Sequence, residues 1–391
     1  MTVFGSMDSK YPLSPRRLRL GMVGGGRGGL VGEWHATGIR LSNRWEIVAG
    51  ALSSDPIKAK VSAADWLIAP DRAYASYTDM AAAESRRPDG IEAVTICTPN
   101  DSHAEIASVF LRTGIDVILD KPMTAELADA AALQKLATES GLFLGITYPY
   151  VFQPMVRQAR HMIAAGAIGQ VRQVIVEYAQ DWATTIDPAT IWRMDRSRVG
   201  RAAATGDIGT HAFHMLEYVT GLEVEKLRAD LHNCGAPKPM DDTAFISVRM
   251  RNGAPGTIWL TQAAPGNACG LSIRAYGLKG GIEWRETDCE RLYVNMLGQA
   301  EQVIVRGHGA GVLPAIERMV HLPRGHGEGI SDAWGNMYTE MALAVEVRRG
   351  LRSLPENYLE VSTGRDGLRG MQFIAAAVDS HEAGGQWKGL G

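Results

Sequence analysis

The sequence predicts an α/β protein: an N-terminal Rossmann-type, doubly wound parallel sheet, then a C-terminal α+β domain with a large open, mostly antiparallel sheet. Three observations carry this. Over about the first 150 residues, short apolar runs alternate with helical stretches, which is the grammar of β-α-β units. A glycine cluster, Gly24-Gly25-Gly26-Arg27-Gly28-Gly29, stands between the first strand and the first helix. Beyond Tyr150 strands follow one another with only turns between them, as in an antiparallel sheet. A length of 391 residues accommodates two domains. They are assigned as 18–148, binding a dinucleotide, and 149–391, binding substrate and forming oligomers, after a disordered tail over 1–17.

In order, Leu18–Val23 is the first strand and Gly28–Ser42 the helix after it. Glu46–Leu52 is a strand, and Asp55–Trp66, rich in Ala and Lys, a helix. Ile91–Cys97 is a strand bounded by Thr98-Pro99-Asn100, and Ser102–Arg112 a helix that stops at Gly114. Asp116–Leu119 is a short buried strand stopped by Pro122; Thr124–Ser140 is a long helix, and Leu142–Thr147 closes the sheet. In the second half the helix Met155–Ala165 precedes the strand Gln170–Tyr178, and Gly206–Thr220 is helical. Seven strands run from Leu227 to Val305, and helices over Trp334–Arg349 and Thr363–Ser380 finish the chain.

The composition excludes several classes of function. A net charge of -3 supplies no basic field for nucleic acid. No run reaches the roughly 20 apolar residues of a membrane span. Arg16-Arg17 superficially resembles a twin-arginine export signal, but the apolar stretch after it breaks at once into glycines. The four cysteines, Cys97, Cys234, Cys269 and Cys289, are scattered as in a reduced, cytoplasmic protein. His308, His321 and His326 form no metal-ligand pattern with nearby carboxylates, so no metal is expected.

A G-x-G-x-x-G turn between strand and helix suits a pyrophosphate, because the backbone approaches closely and the helix presents its positive end. Gly24, Gly26, Arg27 and Gly28 are therefore assigned to the cofactor. The second strand of such folds normally ends in an acid for the ribose diol; here it runs Ala51-Leu52-Ser53-Ser54-Asp55. Ser53 and Ser54 would serve NAD or NADP, and Lys58 could meet a 2′-phosphate. No arginine stands at this turn, so the balance tips to NAD.

Three more segments, Thr98-Pro99-Asn100-Asp101-Ser102-His103, Asp120-Lys121-Pro122-Met123-Thr124 and Gly206-Asp207-Ile208-Gly209-Thr210-His211, complete an ordered set. From about residue 18 to the end the chain resembles the glucose–fructose oxidoreductase/inositol dehydrogenase (Gfo/Idh/MocA) family. It is similar above all to the subgroup acting on sugars and glycosides, levoglucosan dehydrogenase-like proteins included. Pro154–Arg160, Ile191-Trp192-Arg193-Met194-Asp195 and Tyr276–Gly281 carry the likeness to that subgroup. Gly325-His326-Gly327-Glu328-Gly329-Ile330 departs from the G-H-P-E-G-Y stretch common there.

The resemblance implies that Thr98, Pro99, Asn100, His103 and Asp120 line the cofactor and that Lys121 is catalytic. Asp207 and His211 would act with it, and Asp120 stands where Glu is more usual. Oxidising a secondary alcohol needs a base for the hydroxyl proton, a task suited to an imidazole; an ammonium can stabilise a developing alkoxide. Alone, Asp207 and His211 read as a helix cap and a solvated histidine; the surrounding motif reverses that reading. Tyr148, Tyr150, Trp192, Arg193 and His35 are candidates for the substrate cleft, with ordinary packing an equal reading for Tyr150 and His35. The expected substrate is a carbohydrate or cyclitol and the expected assembly a homodimer or homotetramer. A keto-sugar reductase, an enzyme recycling a tightly held cofactor, and a silent cofactor-binding sensor stay open.

Overall fold

The structure, a computed structural model, describes residues 16–187, 192–309, 311–354 and 359–391. The expected tail over 1–17 therefore lies outside the described residues except for Arg16 and Arg17, and Ile191 lies outside them too. Arg16 is not free: its guanidinium pairs with Glu92 at 2.7 Å. Two compact units emerge, one of residues 16–147 with Ser331–Leu368, the other of Tyr148–Ile330 with Arg369–Gly391.

The first unit holds five parallel strands, β1 (Leu18–Gly24), β2 (Trp45–Ala51), β3 (Ala93–Cys97), β4 (Asp116–Leu119) and β5 (Leu144–Ile146), in the order β2-β1-β3-β4-β5. Helices α1 (Leu30–Ser42), α2 (Pro56–Asp65), α3 (Tyr77–Glu84), α4 (His103–Arg112) and α5 (Leu127–Ser140) connect them. The sequence reading had no α3, a short and weakly patterned helix. All four residues of β4 are buried, as in a strand covered on both faces. Strand order reverses between β1 and β3, so the crevice for a ligand lies at their C-terminal ends. There Gly24 pairs in register with Cys97.

Residues 331–368, which the sequence reading placed with the second half, belong to this unit. Trp45 donates from Nε1 to the Tyr338 carbonyl at 2.8 Å. Gly38 leaves room for Trp334, since a Cβ there would stand 2.8 Å from Trp334 Cβ. A return of the chain over so long a separation leaves no local mark in the sequence.

The second unit is built on nine strands: β6 (Val171–Ala179), β7 (Val224–His232), β8 (Thr243–Met250), β9 (Pro255–Thr261), β10 (Gly270–Gly277), β11 (Gly280–Arg285), β12 (Arg291–Met296), β13 (Gln302–Val305) and β14 (Lys388–Gly389). Their order is β13-β12-β11-β10-β6-β9-β8-β7-β14, and only β6 and β9 pair in parallel. The helix Gly209–Thr220 packs on β6, β9 and β10. Outward positions of the sheet alternate with buried ones, and Phe245 and Tyr276 stand exposed. No described helix is long and apolar enough to cross a membrane.

Candidate active site

The glycine turn meets the geometric demands of a dinucleotide. Gly24 takes φ +81°, and a Cβ there would lie 2.9 Å from Thr98 Cγ2. A Cβ at Gly26 would lie 2.6 Å from the Leu52 carbonyl, whereas Gly28 has nothing within 4 Å and leaves the turn open. The first turn of α1 has Gly29 as N-cap and no side-chain cap, so its N–H groups are not consumed by a side chain. Among the residues assigned to the cofactor, Arg27 is turned elsewhere: its guanidinium binds Asp65 at 2.8 Å and its N–H donates to Ser62 Oγ at 2.9 Å. At the end of β2, Ser53 Oγ accepts from the Asp55 N–H at 3.1 Å. Asp55 in turn caps α2, accepting from Ile57 and Lys58 at 2.8 and 3.0 Å. The one acid at this turn is therefore spent as a helix cap. Ser54 and Lys58 are exposed beside it.

At the end of β3, Ser102 Oγ donates to Thr98 Oγ1 at 2.8 Å, and Asn100 is buried. His103 is wholly buried, its Nε2 2.8 Å from the Thr98 carbonyl and its Nδ1 3.0 Å from the Pro122 carbonyl. Burial holds its pKa below the ordinary histidine value. Neutral, the ring has one N–H to donate to one of these carbonyls, and it sits wedged between the Thr98 and Pro122 loops. Asp120 follows β4 directly; Thr147 Oγ1 donates to it at 2.6 Å and His35 Nε2 stands 3.8 Å away. Burial opposes ionisation of Asp120, but His35, Lys121 and Thr147 outweigh it and hold the carboxyl well below the usual range. Lys121 is half-buried, and its bond to Pro122 is cis. His35, a candidate for the substrate cleft, is instead fully buried under Trp334 and Tyr338, where no substrate reaches it.

In the second unit Asp207 ends a short helix, Ala204–Asp207, and His211 lies in the next, Gly209–Thr220, where the sequence predicts one continuous helix. The break is local: Ile208 keeps near-helical angles, and Gly209 is crowded, a Cβ there lying 2.8 Å from Leu260. Asp241 caps the short helix, accepting from the Ala203 and Thr205 N–H groups at 2.7 and 2.8 Å. Gln262 then donates to Asp207 Oδ2 at 2.8 Å. His211 is buried, with Tyr150, Tyr148 and Tyr178 at ring-centroid distances of 5.1, 5.7 and 6.4 Å. Tyr148 also stacks on His214 at 4.2 Å.

Sequence reasoning missed the neighbours of Tyr150. Its hydroxyl is 2.5 Å from that of Tyr178, which lies 3.6 Å from Cys269 Sγ, and Gln180 donates to Tyr178 at 3.3 Å. Burial pushes both tyrosine hydroxyls well above their ordinary pKa, so they stay protonated. Tyr178, Gln180, Cys269 and Gln262 stand in strands or turns of unremarkable composition, and no spacing singles them out. Trp192 packs in a cluster with Ala183, Met194 and Met240. The Arg193 guanidinium covers its ring at 4.7 Å, so that face is already occupied. No group of three or more His, Cys, Asp or Glu suited to a metal occurs among the described residues. Glu328, in the divergent loop, accepts from Arg306 at 2.9 Å and from the His321 N–H at 2.8 Å, a structural anchor.

Comparison with known proteins adds the following. Residues 18–148 match the model of an oxidoreductase family with an NAD-binding Rossmann fold, and residues 156–283 that of the GFO/IDH/MocA C-terminal domain. The solved oxidoreductase from Sinorhizobium meliloti is 42% identical, with a TM-score of 0.87 over 95% of this chain and 99% of that one. An inositol dehydrogenase homolog from Azotobacter vinelandii, complexed with NADH and myo-inositol, is 30% identical, with a TM-score of 0.89 over 96% and 98%. The levoglucosan dehydrogenase of Pseudarthrobacter phenanthrenivorans is 26% identical over 68% of this chain and 73% of its own length.

Proposed function

Because the chain belongs to the Gfo/Idh/MocA oxidoreductases, whose N-terminal domain is an NAD-binding Rossmann fold, we propose that it is a dehydrogenase of sugars, glycosides or cyclitols. It transfers hydride between a secondary hydroxyl and the nicotinamide. The observation that carries this is the convergence of Gly24, Thr98 and Lys121 at the C-terminal ends of the adjacent parallel strands β1, β3 and β4. The relatives that bind myo-inositol and levoglucosan supply the substrate class. When bound, the nicotinamide accepts or donates the hydride. The rest of the chemistry falls to side chains: Lys121 stabilises the alkoxide, His211 takes the hydroxyl proton, and Asp207, held by Gln262, binds and orients the substrate. Tyr148 and Tyr150 stand edge-on against His211. Nicotinamide absorbance followed against a panel of cyclitols, sugars and glycosides tests the assignment. No change with any member, in either direction, would reject it.

NAD is the preferred cofactor and NADP is also used, because Ser53 neither repels a 2′-phosphate nor grips it. Ser53→Asp places a carboxylate there and should lower kcat/KM for NADP at least about tenfold more than for NAD. An equal loss with both cofactors would show that this turn does not meet the ribose.

The exposed outer face of the nine-stranded sheet, with Phe245 and Tyr276 on it, is proposed to pack on a second copy, giving a homodimer or a dimer of dimers. Light scattering should return two or four chain masses. The four cysteines are free thiols, which suits a cytoplasmic setting.

A further inference from the structure

One buried cluster in the first unit has no part in the chemistry above. His35 lies on α1, the helix that leaves the glycine turn, and is wholly inaccessible. Its Nδ1 is 2.6 Å from the Tyr338 hydroxyl, which is 3.1 Å from Thr95 Oγ1. Trp334 meets the imidazole edge-on, with centroids 4.8 Å apart. The ring is thus held on two sides, and its Nε2, buried without a hydrogen-bond partner, points at Asp120 Oδ1 at 3.8 Å. A buried nitrogen without a partner costs free energy unless its surroundings use it. The carboxylate it faces at that distance immediately precedes Lys121.

We propose that His35 is a positioning residue for Lys121: it holds the Asp120 carboxylate in place beside the lysine, while Tyr338, braced on Thr95, holds the imidazole. This rests on the role given to Lys121 above. The charged and titratable groups around the cluster are Asp120 and Lys121 after β4, His103 on α4, Tyr338 on the helix Ile330–Arg348, and Cys97 at the end of β3. Burial raises the Tyr338 hydroxyl and the Cys97 thiol, so both stay neutral. Burial holds the His103 imidazole pKa low, so the Asp120 carboxylate is the negative charge of the cluster. Asp120 carries the negative charge beside the Lys121 ammonium, and His35 is the strongest of the influences that keep it charged against burial. Because His35 grows from the helix of the glycine turn, one side chain links the cofactor turn to the lysine loop.

The sign of the pH effect follows. Asp120 is depressed, so its carboxylate persists at working pH and is lost only as pH falls through the low folded value. Without His35, burial is opposed less, and protonation begins at higher pH.

Two measurements on the full chain test this. In urea unfolding of the cofactor-free protein at neutral pH, His35→Leu, Asp120→Asn and the double variant form a cycle. The product of the two single losses in folding equilibrium should exceed the loss in the double variant by about fivefold or more. Simple multiplication would overturn the proposal. In the second, kcat at neutral pH should fall about fivefold or more in His35→Leu with KM for the substrate little changed, and return in His35→Gln, which keeps an N–H donor at the far end. NAD affinity without substrate should stay within about twofold. A kcat that does not fall, or a loss that His35→Gln does not repair, refutes the link to Lys121. If the wild-type protein turns over no panel substrate, the dehydrogenase reading fails, and the unfolding cycle still decides whether His35 and Asp120 are coupled.

Discussion

His211→Ala and Lys121→Ala should each lower turnover roughly 10²–10⁴-fold, the range for loss of a positioned acid or base, with NAD affinity nearly unchanged. His211 belongs to the second unit, among the rings of Tyr148, Tyr150 and Tyr178, of which burial keeps the Tyr150 and Tyr178 hydroxyls protonated. Among the residues assigned to the site there, it is the one whose ordinary titration lies near neutrality. In the proposed mechanism the Lys121 charge would act most strongly when negative charge grows on the substrate oxygen, so its loss should weigh on kcat more than on KM. Asp207→Asn keeps the shape and the Gln262 contact while removing charge, and should depress rate and substrate affinity together. Single-turnover kinetics on folded, cofactor-loaded variants isolate the hydride step. Near wild-type hydride transfer in Lys121→Ala would remove the centre of the mechanism. The same result for His211→Ala would leave the lysine as base.

Gly32→Ala should weaken NAD binding by about tenfold to a hundredfold and leave the second unit's fold intact. A Cβ at this position of α1 would stand 2.4 Å from Gly25 Cα and 2.5 Å from the Gly25 carbonyl oxygen. The atoms it meets are backbone, so no side chain can swing aside and the helix must lift off the turn. Overpacking of this kind costs about 1–3 kcal/mol, and each 1.4 kcal/mol is about a tenfold change in affinity. Gly32 lies outside the G-x-G-x-x-G pattern, yet it sets how closely the helix approaches the phosphate turn. Quenching of tryptophan fluorescence by NAD measures the change. Affinity equal to wild type would mean that the turn and helix separate without consequence for the cofactor.

Much of the candidate site is legible in the sequence because its signals are local. A glycine turn needs its residues in sequence, the end of a short apolar strand marks where Lys121 must emerge, and Asp207 and His211 lie within a turn of one another. The alternation of apolar runs and helical stretches likewise announced the parallel sheet, since strand and helix periods differ. Motifs assign residues to a place, however, and do not say where side chains point. Arg27 stands inside the glycine cluster but is drawn to Asp65. His103 stands in the cofactor motif but turns inward to two carbonyls. Trp192 packs under arginine.

The sequence by itself determined the family, the two sheet types, the cofactor turn and the catalytic candidates, because each depends on residues close together along the chain. Only the tertiary structure decided the rest. It brought Tyr178, Gln180 and Cys269 to Tyr150, set Gln262 on Asp207, returned residues 331–368 to the first unit, and placed His35 against Asp120 and Tyr338. His35 and Tyr338 are 303 positions apart. Contacts of that separation come from packing many elements at once, and no local propensity or spacing encodes them.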